Sequence, residues 1–393
     1  MKQLLLIAGI ALLCLGESED DHLNAQSLTA DAKINAIPQN PADILEYPAR
    51  TFRKPIDRKR IDRKPIALKT ADTLRWIFRI SEDNDFLNAR GCGTDDAYTN
   101  GTRLDYFYQP RHPSKDPIDK ILPKAGAHSV NTYGWGIMQL MYTPENITDS
   151  AYQPNDYPWS GALVATHTLY SYNPVQKYDF RTELDLGVIG PASLACQTQT
   201  GFHKLIHYFK PRGWSHQYPN DLLANVDITA ERQLAGNGSN FEWIGGSQLS
   251  VGTMMNSLTV YPLIRIGKMN PYFKGWLSQY ASTGRNNRRH KNWQLYFICR
   301  PELQLIATEA VLQGGMFTRN PNLAAAGAPA KPQQQPPAPQ PYHPINHAVL
   351  ASNFGVVAGI GDFSISFNQN SSTAMMKGLY SHEFGNISLY FGW

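Results

Sequence analysis

The clearest indication of the fold is the segment Tyr178-Asp179-Phe180-Arg181-Thr182-Glu183-Leu184-Asp185-Leu186-Gly187-Val188. Apolar or aromatic side chains alternate along it with charged ones. Because successive side chains of a β-strand point to opposite faces, one face of this strand is apolar and the other is charged. The same alternation recurs at 224–231 and 363–368. A barrel with lipid outside and a polar lumen inside produces this repeat in strand after strand, whereas a soluble sandwich shows it only where one face is wet.

Extending the pattern along the chain predicts an all-β, antiparallel, up-and-down transmembrane barrel of about 12 strands. An even number agrees with bacterial outer-membrane barrels. Pro262 and Pro301 fall inside two of the predicted strands and mark bends or misplaced ends. The strands are expected near Leu74–Ile80, Thr102–Tyr108, Val130–Tyr142, Gly161–Tyr172, Tyr178–Ile189, Leu222–Gln233, Phe241–Val251, Leu258–Gly267, Trp293–Leu312, Ala348–Gly359, Asp362–Asn370 and His382–Trp393.

The two ends of the chain agree with this class. Met1-Lys2 followed by the short apolar run Leu4–Leu15 is typical of a signal peptide, expected over 1–18. Charge and proline are dense at 53–66, so 19–72 is expected to be a disordered basic extension in the periplasm. The barrel is expected over 73–393, and its last strand ends on the aromatic Trp393, as outer-membrane barrels do. We therefore predict the outer membrane as the location.

Composition and motif searches exclude several other classes. No long uncharged apolar stretch predicts a helical membrane protein. The formal net charge is only +4 and gives no reason to expect a nucleic-acid partner. Beyond the signal region the cysteines are Cys92, Cys196 and Cys299, which do not form a disulfide framework. No nucleophile elbow, zinc-binding HExxH or CxxC pattern occurs.

Three polar clusters lie in connections expected at the outer rim. Glu82-Asp83-Asn84-Asp85 offers oxygen atoms of the kind that calcium prefers, and Asp95-Asp96 with Thr99 returns to the same rim on the next strand. The third cluster follows Gly190-Pro191, where a short helix is expected after Ser193. Gln199 and His203 share one face of that helix, and an amide-held histidine suits a general base. His207 lies one further turn along, and spacing alone does not choose between the two histidines.

At these clusters the sequence resembles the family of outer-membrane lipid A 3-O-deacylases, from about Leu74 to Trp393. The motifs that bear the resemblance are Glu82-Asp83-Asn84-Asp85-Phe86, Tyr98-Thr99-Asn100-Gly101, Tyr142-Thr143-Pro144, Gly187-Val188-Ile189-Gly190-Pro191 and Gln199-x-x-x-His203. The resemblance implies a twelve-stranded barrel and a calcium-dependent hydrolase that removes the 3'-acyloxyacyl group of lipid A. It implies that His203, rather than His207, activates water beside Gln199 and Thr99. It also implies that Asn84 and Asp85 serve the metal or oxyanion side.

From the clusters and the resemblance together we expect catalysis by His203, Gln199, Asn84, Asp85 and Thr99, with Ca²⁺ held by Asp85, Asn84 and Glu82. The partner is lipid A or lipopolysaccharide, and the protein acts as a monomer. Two alternatives stay open: an outer-membrane phospholipase with the same base and metal, and a non-catalytic barrel or pore.

The sequence departs from the family in two places. Asp156-Tyr157-Pro158-Trp159-Ser160 stands where many members have an Asp-Arg-Pro-Tyr-Ala segment, and no Lys-Arg pair occurs near Ile147-Thr148-Asp149. The resemblance therefore supplies residues for hydrolysis but none for binding the lipid phosphates. Cys92 and Cys196 both lie in loops of the expected site, and we raise a disulfide between them as a hypothesis.

Overall fold

The computed structural model describes residues 76–88, 96–110, 114, 116–275, 279–280, 293–319 and 343–393. In them, twelve antiparallel strands close into a barrel, because β1 pairs with β12 as well as with β2. The predicted fold class is confirmed. The strands are β1 (Trp76–Asn84), β2 (Ala97–Tyr108), β3 (Val130–Thr143), β4 (Ser160–Asn173), β5 (Tyr178–Ile189), β6 (Asp221–Gly236), β7 (Phe241–Gly252), β8 (Met255–Lys268), β9 (Trp293–Glu309), β10 (Ala348–Ile360), β11 (Phe363–Ser372) and β12 (His382–Gly392).

Within the described residues, short α-helices with defined bounds lie between the strands: α1 (Pro117–Ile121), α2 (Ala195–Leu205), α3 (Ala310–Gln313) and α4 (Met316–Arg319). None of the helices in the described part of the chain has the length and hydropathy needed to cross a membrane. The expected signal peptide, the basic extension 19–72 and Cys92, with its hypothetical disulfide, lie outside the described residues. We call the rim at Trp76 and Trp393 the terminal rim and the opposite one the loop rim.

Most predicted strand ends agree with the structure to within a few residues, but β9 is shorter than predicted. It ends at Glu309, and the last three residues of the predicted strand, Ala310 to Leu312, form helix α3 instead. All three are buried in an apolar cluster above the lumen, together with Tyr218 and Met376. A strand would point alternate side chains away from that cluster, whereas a helical turn buries all three. Burial therefore overrides the alternation here.

Pro262 and Pro301 lie within β8 and β9 rather than at their ends. The pairing of these two strands runs to Val260 opposite Leu303 and resumes only at Ile264 opposite Cys299. Each proline lacks the N–H that a ladder hydrogen bond requires. The two prolines thus fall in one local gap in the ladder, and the barrel stays closed around it.

The inside of the barrel is polar and densely ion-paired. Arg103 binds Asp105 at 2.9 Å and Glu183 at 2.7 Å, while Arg265 binds the buried Glu242 at 2.5 Å. The interior holds a cavity of about 400 Å³. The outward face is apolar instead and exposes the strand residues Ile80, Leu104, Ile137, Leu186, Val226, Leu249, Val260, Leu295, Val356 and Phe367. This inside-out distribution is that of a barrel surrounded by lipid.

The two long connections at the terminal rim have defined structural roles. In the first, α1 docks on the outer wall, where Asp119 binds the ring of His167 at 2.9 Å. In the second, Tyr272 enters the lumen and donates to Glu231 at 2.5 Å, and Tyr280 stacks on Tyr390 with ring centroids 4.0 Å apart. The described parts of both connections therefore dock on the wall or fill the lumen.

Candidate active site on the outer wall of the barrel

Helix α2 begins where the sequence predicts a short helix, after a sharp change in chain direction. Gly190 has φ 93°, and a Cβ at this position would lie 2.6 Å from the backbone of Pro219. A 3-10 turn at Pro191–Ser193 and the left-handed Leu194 (φ 61°) then lead into the helix. Only glycine fits the first of these positions without strain. Farther along the loop, the Arg212 N–H donates to the Ile147 carbonyl at 2.9 Å, which ties it to the neighbouring connection.

Helix α2 packs on the outside of the barrel rather than above the lumen. Met138 and Leu140 of β3 line the lumen. Met141, the next residue of β3, and its paired residue Gly161 on β4 therefore point outward. Ala195 of α2 packs in one apolar cluster with Met141, Trp159 and Trp214. A Cβ on Gly161 would overlap Ala195, so the bare glycine makes room for the start of the helix. The helix and the wall between them therefore enclose a site on the lipid-facing side.

His203 lies on the inner face of α2. The buried residues of the helix are Ala195, Gln199 and His203, which are spaced four apart and share one face. The Nδ1 atom of His203 lies 2.6 Å from the carbonyl oxygen of Phe209. Since a carbonyl only accepts, Nδ1 bears the proton, and the neutral ring has its lone pair on Nε2. This tautomer is the one that a general base acting through Nε2 needs.

His207, which spacing alone did not distinguish from His203 as the candidate base, is placed differently. It is exposed, it lies beyond the end of α2, and its backbone is left-handed with φ 59°. His203 is 5% exposed and contacts the Tyr208 ring edge-on at 5.1 Å. The structure therefore encloses His203 and leaves His207 at the surface.

Gln199 is buried beside His203 and is fixed by an aromatic pair that the sequence did not single out. Its Oε1 accepts a hydrogen bond from Nε1 of Trp214 at 2.7 Å. The ring of Trp214 meets that of Trp159 at 5.1 Å in an edge-to-face arrangement. The amide oxygen of Gln199 is thus held by an indole, and Nδ1 of the His203 ring by a backbone carbonyl. Both side chains are oriented by the loop.

Thr99 points outward because of a β-bulge. The register between β2 and β3 shifts between Tyr98 and Asn100, which leaves Thr99 as the extra residue. Tyr98 faces the lumen and donates to Asp83 at 2.8 Å, while Asn100 pairs with the outward-facing Met141. Thr99 is buried, and its Oγ1 lies 2.6 Å from Oγ1 of Thr143. The bulge thus adds a hydroxyl pair to the outer wall next to the cluster that holds α2.

Asn84 and Asp85 form the end of β1 and the start of the 3-10 turn Asp85–Leu87. Oδ1 of Asn84 caps this turn by accepting from the Phe86 N–H at 2.9 Å. The buried Asp85 accepts through Oδ2 from the Asp96 N–H at 2.8 Å. These bonds bring the first two polar clusters together, as a hairpin of β1 and β2 predicts.

Glu82 faces the same outer side as Asn84 but is bound to β2. Its carboxylate accepts from the amide of Asn100 and, at 2.7 Å, from the hydroxyl of Thr102. Among the residues that the structure describes, no three His, Cys, Asp or Glu side chains lie close enough together to hold a metal ion. The oxygen atoms of Asp85 and Asn84 suit a hard cation in their chemistry. Calcium binding by Asp85, Asn84 and Glu82 therefore stays a prediction.

A family model described as outer membrane protein LpxR matches residues 64–393. The chain belongs to the LpxR family. Among solved structures, LpxR from Salmonella typhimurium is similar with a TM-score of 0.61 and 17% identity, covering 80% of this chain and 99% of that one. The β domain of the Bordetella autotransporter BrkA matches with a TM-score of 0.38 and 8% identity, covering 81% and 99%. No curated protein matches.

Membership of the LpxR family confirms the predicted family and places the protein in the outer membrane. The likeness to the Salmonella structure extends to the fold, including its barrel. In this LpxR-family chain the segment that departs from the expected pattern, Asp156 to Ser160, links two loops. Tyr157 donates to the Tyr380 carbonyl at 3.0 Å, and Tyr380 donates to Asp156 at 3.0 Å. Burial raises the pKa of Tyr157 to about 12, so this hydroxyl stays a hydrogen-bond donor even in alkaline solution.

Several residues that shape the LpxR-family site had no assigned role in the sequence. Thr143 appeared only within the Tyr142-Thr143-Pro144 motif, and Trp214 and Gly161 appeared in none. Their contribution depends on contacts between distant segments: Thr143 meets Thr99, Trp214 meets Gln199, and Gly161 leaves room for Ala195.

Proposed function

We propose that this LpxR-family protein is a carboxylic ester hydrolase that removes the 3'-acyloxyacyl group of lipid A, acting as a monomer in the outer membrane. The observation that supports this most is the position of His203 and Gln199. They lie between α2 and the outward-facing wall, on the side of the barrel that lipid contacts. An acyl ester in the leaflet can reach that position without entering the lumen.

The hydrolytic step follows from the tautomer of His203. With Nδ1–H held by the Phe209 carbonyl, Nε2 accepts a proton from a water molecule as the water oxygen bonds to the ester carbonyl carbon. The bond from that carbon to the sugar oxygen then breaks, and the proton on Nε2 passes to the leaving oxygen. The products are a free carboxylic acid and a sugar hydroxyl. Burial of His203 keeps the ring in one orientation throughout.

Two further groups complete the proposed site. Thr99, held by Thr143, offers a hydroxyl on the same wall, and Asp85 with Asn84 would hold calcium. When bound, the ion would supply positive charge that stabilises the developing oxyanion. Gln199, whose amide oxygen is held by Trp214, keeps the inner face of helix α2 oriented toward the barrel wall.

The test is mass spectrometry of lipid A after purified protein is incubated with lipopolysaccharide and calcium. The proposal predicts loss of mass equal to one acyloxyacyl group and release of that acid. Intact lipid A would contradict it. A parallel incubation with phospholipid addresses the first alternative, since fatty acid released there but not from lipid A would indicate a phospholipase.

The pore alternative is less well supported by the interior of the barrel. Tyr280 and Tyr390 fill the lumen near the terminal rim, and at the loop rim Tyr218 donates to the Leu312 carbonyl at 2.9 Å within an apolar cluster. Steady ion conductance in planar bilayers, with no hydrolysis of either lipid, would favour the pore.

Removing one proposed calcium ligand is expected to shift the calcium requirement. Asp85→Asn keeps the shape of the side chain but removes its charge, so we expect the calcium concentration for half-maximal deacylation to rise at least about tenfold. Activity is measured against calcium buffered with a chelator. Asp149→Asn, an exposed loop carboxylate that caps Ala151, is the matched control and should leave the curve in place. An unchanged curve for Asp85→Asn would remove this residue from the metal site.

A further inference from the structure

The loop that contains α2 has an unusual charge composition. Residues 190–220 include Lys204, Lys210 and Arg212 but no aspartate or glutamate. All three basic side chains are exposed. In a chain with 32 acidic residues, a stretch of 31 residues without one is a local excess of positive charge. Such a surface complements an anionic partner.

The same stretch exposes large apolar side chains. Leu205 is 74% exposed and Phe209 is 65% exposed, and Phe202 and Ile206 are about half exposed. None of them is needed to hold α2 on the wall, since the buried face of the helix consists of Ala195, Gln199 and His203. We call the exposed set the 202–212 surface; its members are Phe202, Lys204, Leu205, Ile206, Phe209, Lys210 and Arg212.

The 202–212 surface lies on the outside of the barrel near the loop rim. Helix α2 packs against the outward side of β3 and β4, the side on which the strands expose apolar residues to lipid. Apolar side chains mixed with lysine and arginine are typical of segments that lie in the interface of a membrane. There the apolar groups enter the acyl region while long basic side chains reach the headgroups. In water the same apolar side chains would lose this favourable burial.

We propose that the 202–212 surface docks into the leaflet at the loop rim, with Phe202, Leu205, Ile206 and Phe209 among the acyl chains. Lys204, Lys210 and Arg212 then bind the phosphate groups of anionic lipid. Docking itself needs no hydrolysis. Its meaning as recognition of the substrate rests on the proposed function, because it places phosphate-bearing lipid beside the helix that contains His203.

The docking is tested by hydrogen–deuterium exchange of the full-length protein in lipid nanodiscs. One set of discs contains phosphatidylcholine alone, and the other contains phosphatidylcholine with phosphatidylglycerol, which is anionic. We expect amide exchange in 200–212 to be slower in the anionic discs, by about fivefold for each basic residue engaged. Equal exchange in the two kinds of disc would overturn the proposal. Slowing in zwitterionic discs on addition of inorganic phosphate alone would also overturn it, because the ligand would then not be a lipid.

Three variants sharpen this test. Lys204→Ser/Lys210→Ser/Arg212→Ser is expected to exchange at the same rate in both discs, and a retained lipid dependence would contradict the assignment of these residues. Leu205→Ser/Phe209→Ser is expected to exchange faster in both, and no change would contradict the apolar part. Lys377→Ser, an exposed lysine in another loop of the same rim, is the matched control and should behave as the unmodified protein. Unchanged exchange in β3–β5 verifies that each barrel is folded.

The same preparations separate this inference from the proposed function. Docking without hydrolysis of lipid A would support the docking of the 202–212 surface and refute the hydrolase. Hydrolysis without docking would support the hydrolase and refute the docking.

Discussion

Replacing His203 by alanine is expected to lower lipid A deacylation by about 10²- to 10⁴-fold, the usual contribution of a general base. The ring is buried, and its Nδ1 donates to the Phe209 carbonyl at 2.6 Å. Alanine removes the group that accepts the proton of water, while Ala195 and Met141 still hold the helix on the wall. The measurement is the initial rate of acyl release in mixed micelles.

His207→Ala is the matched control for this loss. His207 lies four residues away in the same loop but is exposed. We expect it to retain activity within about twofold, since surface substitutions away from a site have small effects. A large loss in His207→Ala with a small one in His203→Ala would reverse the assignment of the base.

Gly161→Val is expected to abolish most of the activity without touching any proposed catalytic group. The new Cβ would lie 2.6 Å from Oγ of Ser193 and closer still to Cβ of Ala195, so the start of α2 must move away from the wall. A displacement of about 1 Å can cost about 10²-fold in rate when it misplaces a catalytic group. The expected result is therefore a loss of at least that size, measured as acyl release by a barrel that still shows heat-modifiable migration on gels.

Gly201→Ala is the control within the helix itself. A Cβ at Gly201 meets no atom within 4 Å, and alanine favours the helix by roughly 0.5–1 kcal/mol over glycine. Activity should be retained and the helix should be slightly more stable. If Gly161→Val also retained full activity, the close packing of α2 on the wall would not matter for catalysis.

The barrel could be predicted from the sequence because its cause is local. Each strand must present apolar side chains to lipid and polar ones to the lumen, so the alternation at Tyr178 to Val188 gives both limits of β5. Prediction failed at Ala310 to Leu312, where three consecutive apolar residues are buried together by a helical turn. It was ambiguous at Pro262 and Pro301, because a proline lacks the N–H of a ladder bond and often marks a strand end, whereas here both lie inside strands at a gap in the β8–β9 pairing.

The site was less predictable, since it depends on contacts between distant segments. Spacing placed Gln199 and His203 on one helix face, which the structure confirms, but left His207 equally eligible. The bond from Trp214 to Gln199, the hydroxyl pair of Thr99 and Thr143, and the room left by Gly161 join residues 15, 44 and 34 positions apart. Whether a strand residue faces lipid or lumen near Thr99 is set by one bulge, which period-two patterning does not reveal.

The outward position of α2 has a kinetic consequence. A substrate that reaches Met141 and Gly161 from the side of the barrel arrives by diffusion within the plane of the membrane. The proposed enzyme would then respond to the mole fraction of its substrate in the surface around it, and not to the bulk concentration. Diluting lipopolysaccharide with inert amphiphile at constant total amount should slow it, as expected of surface-dilution kinetics.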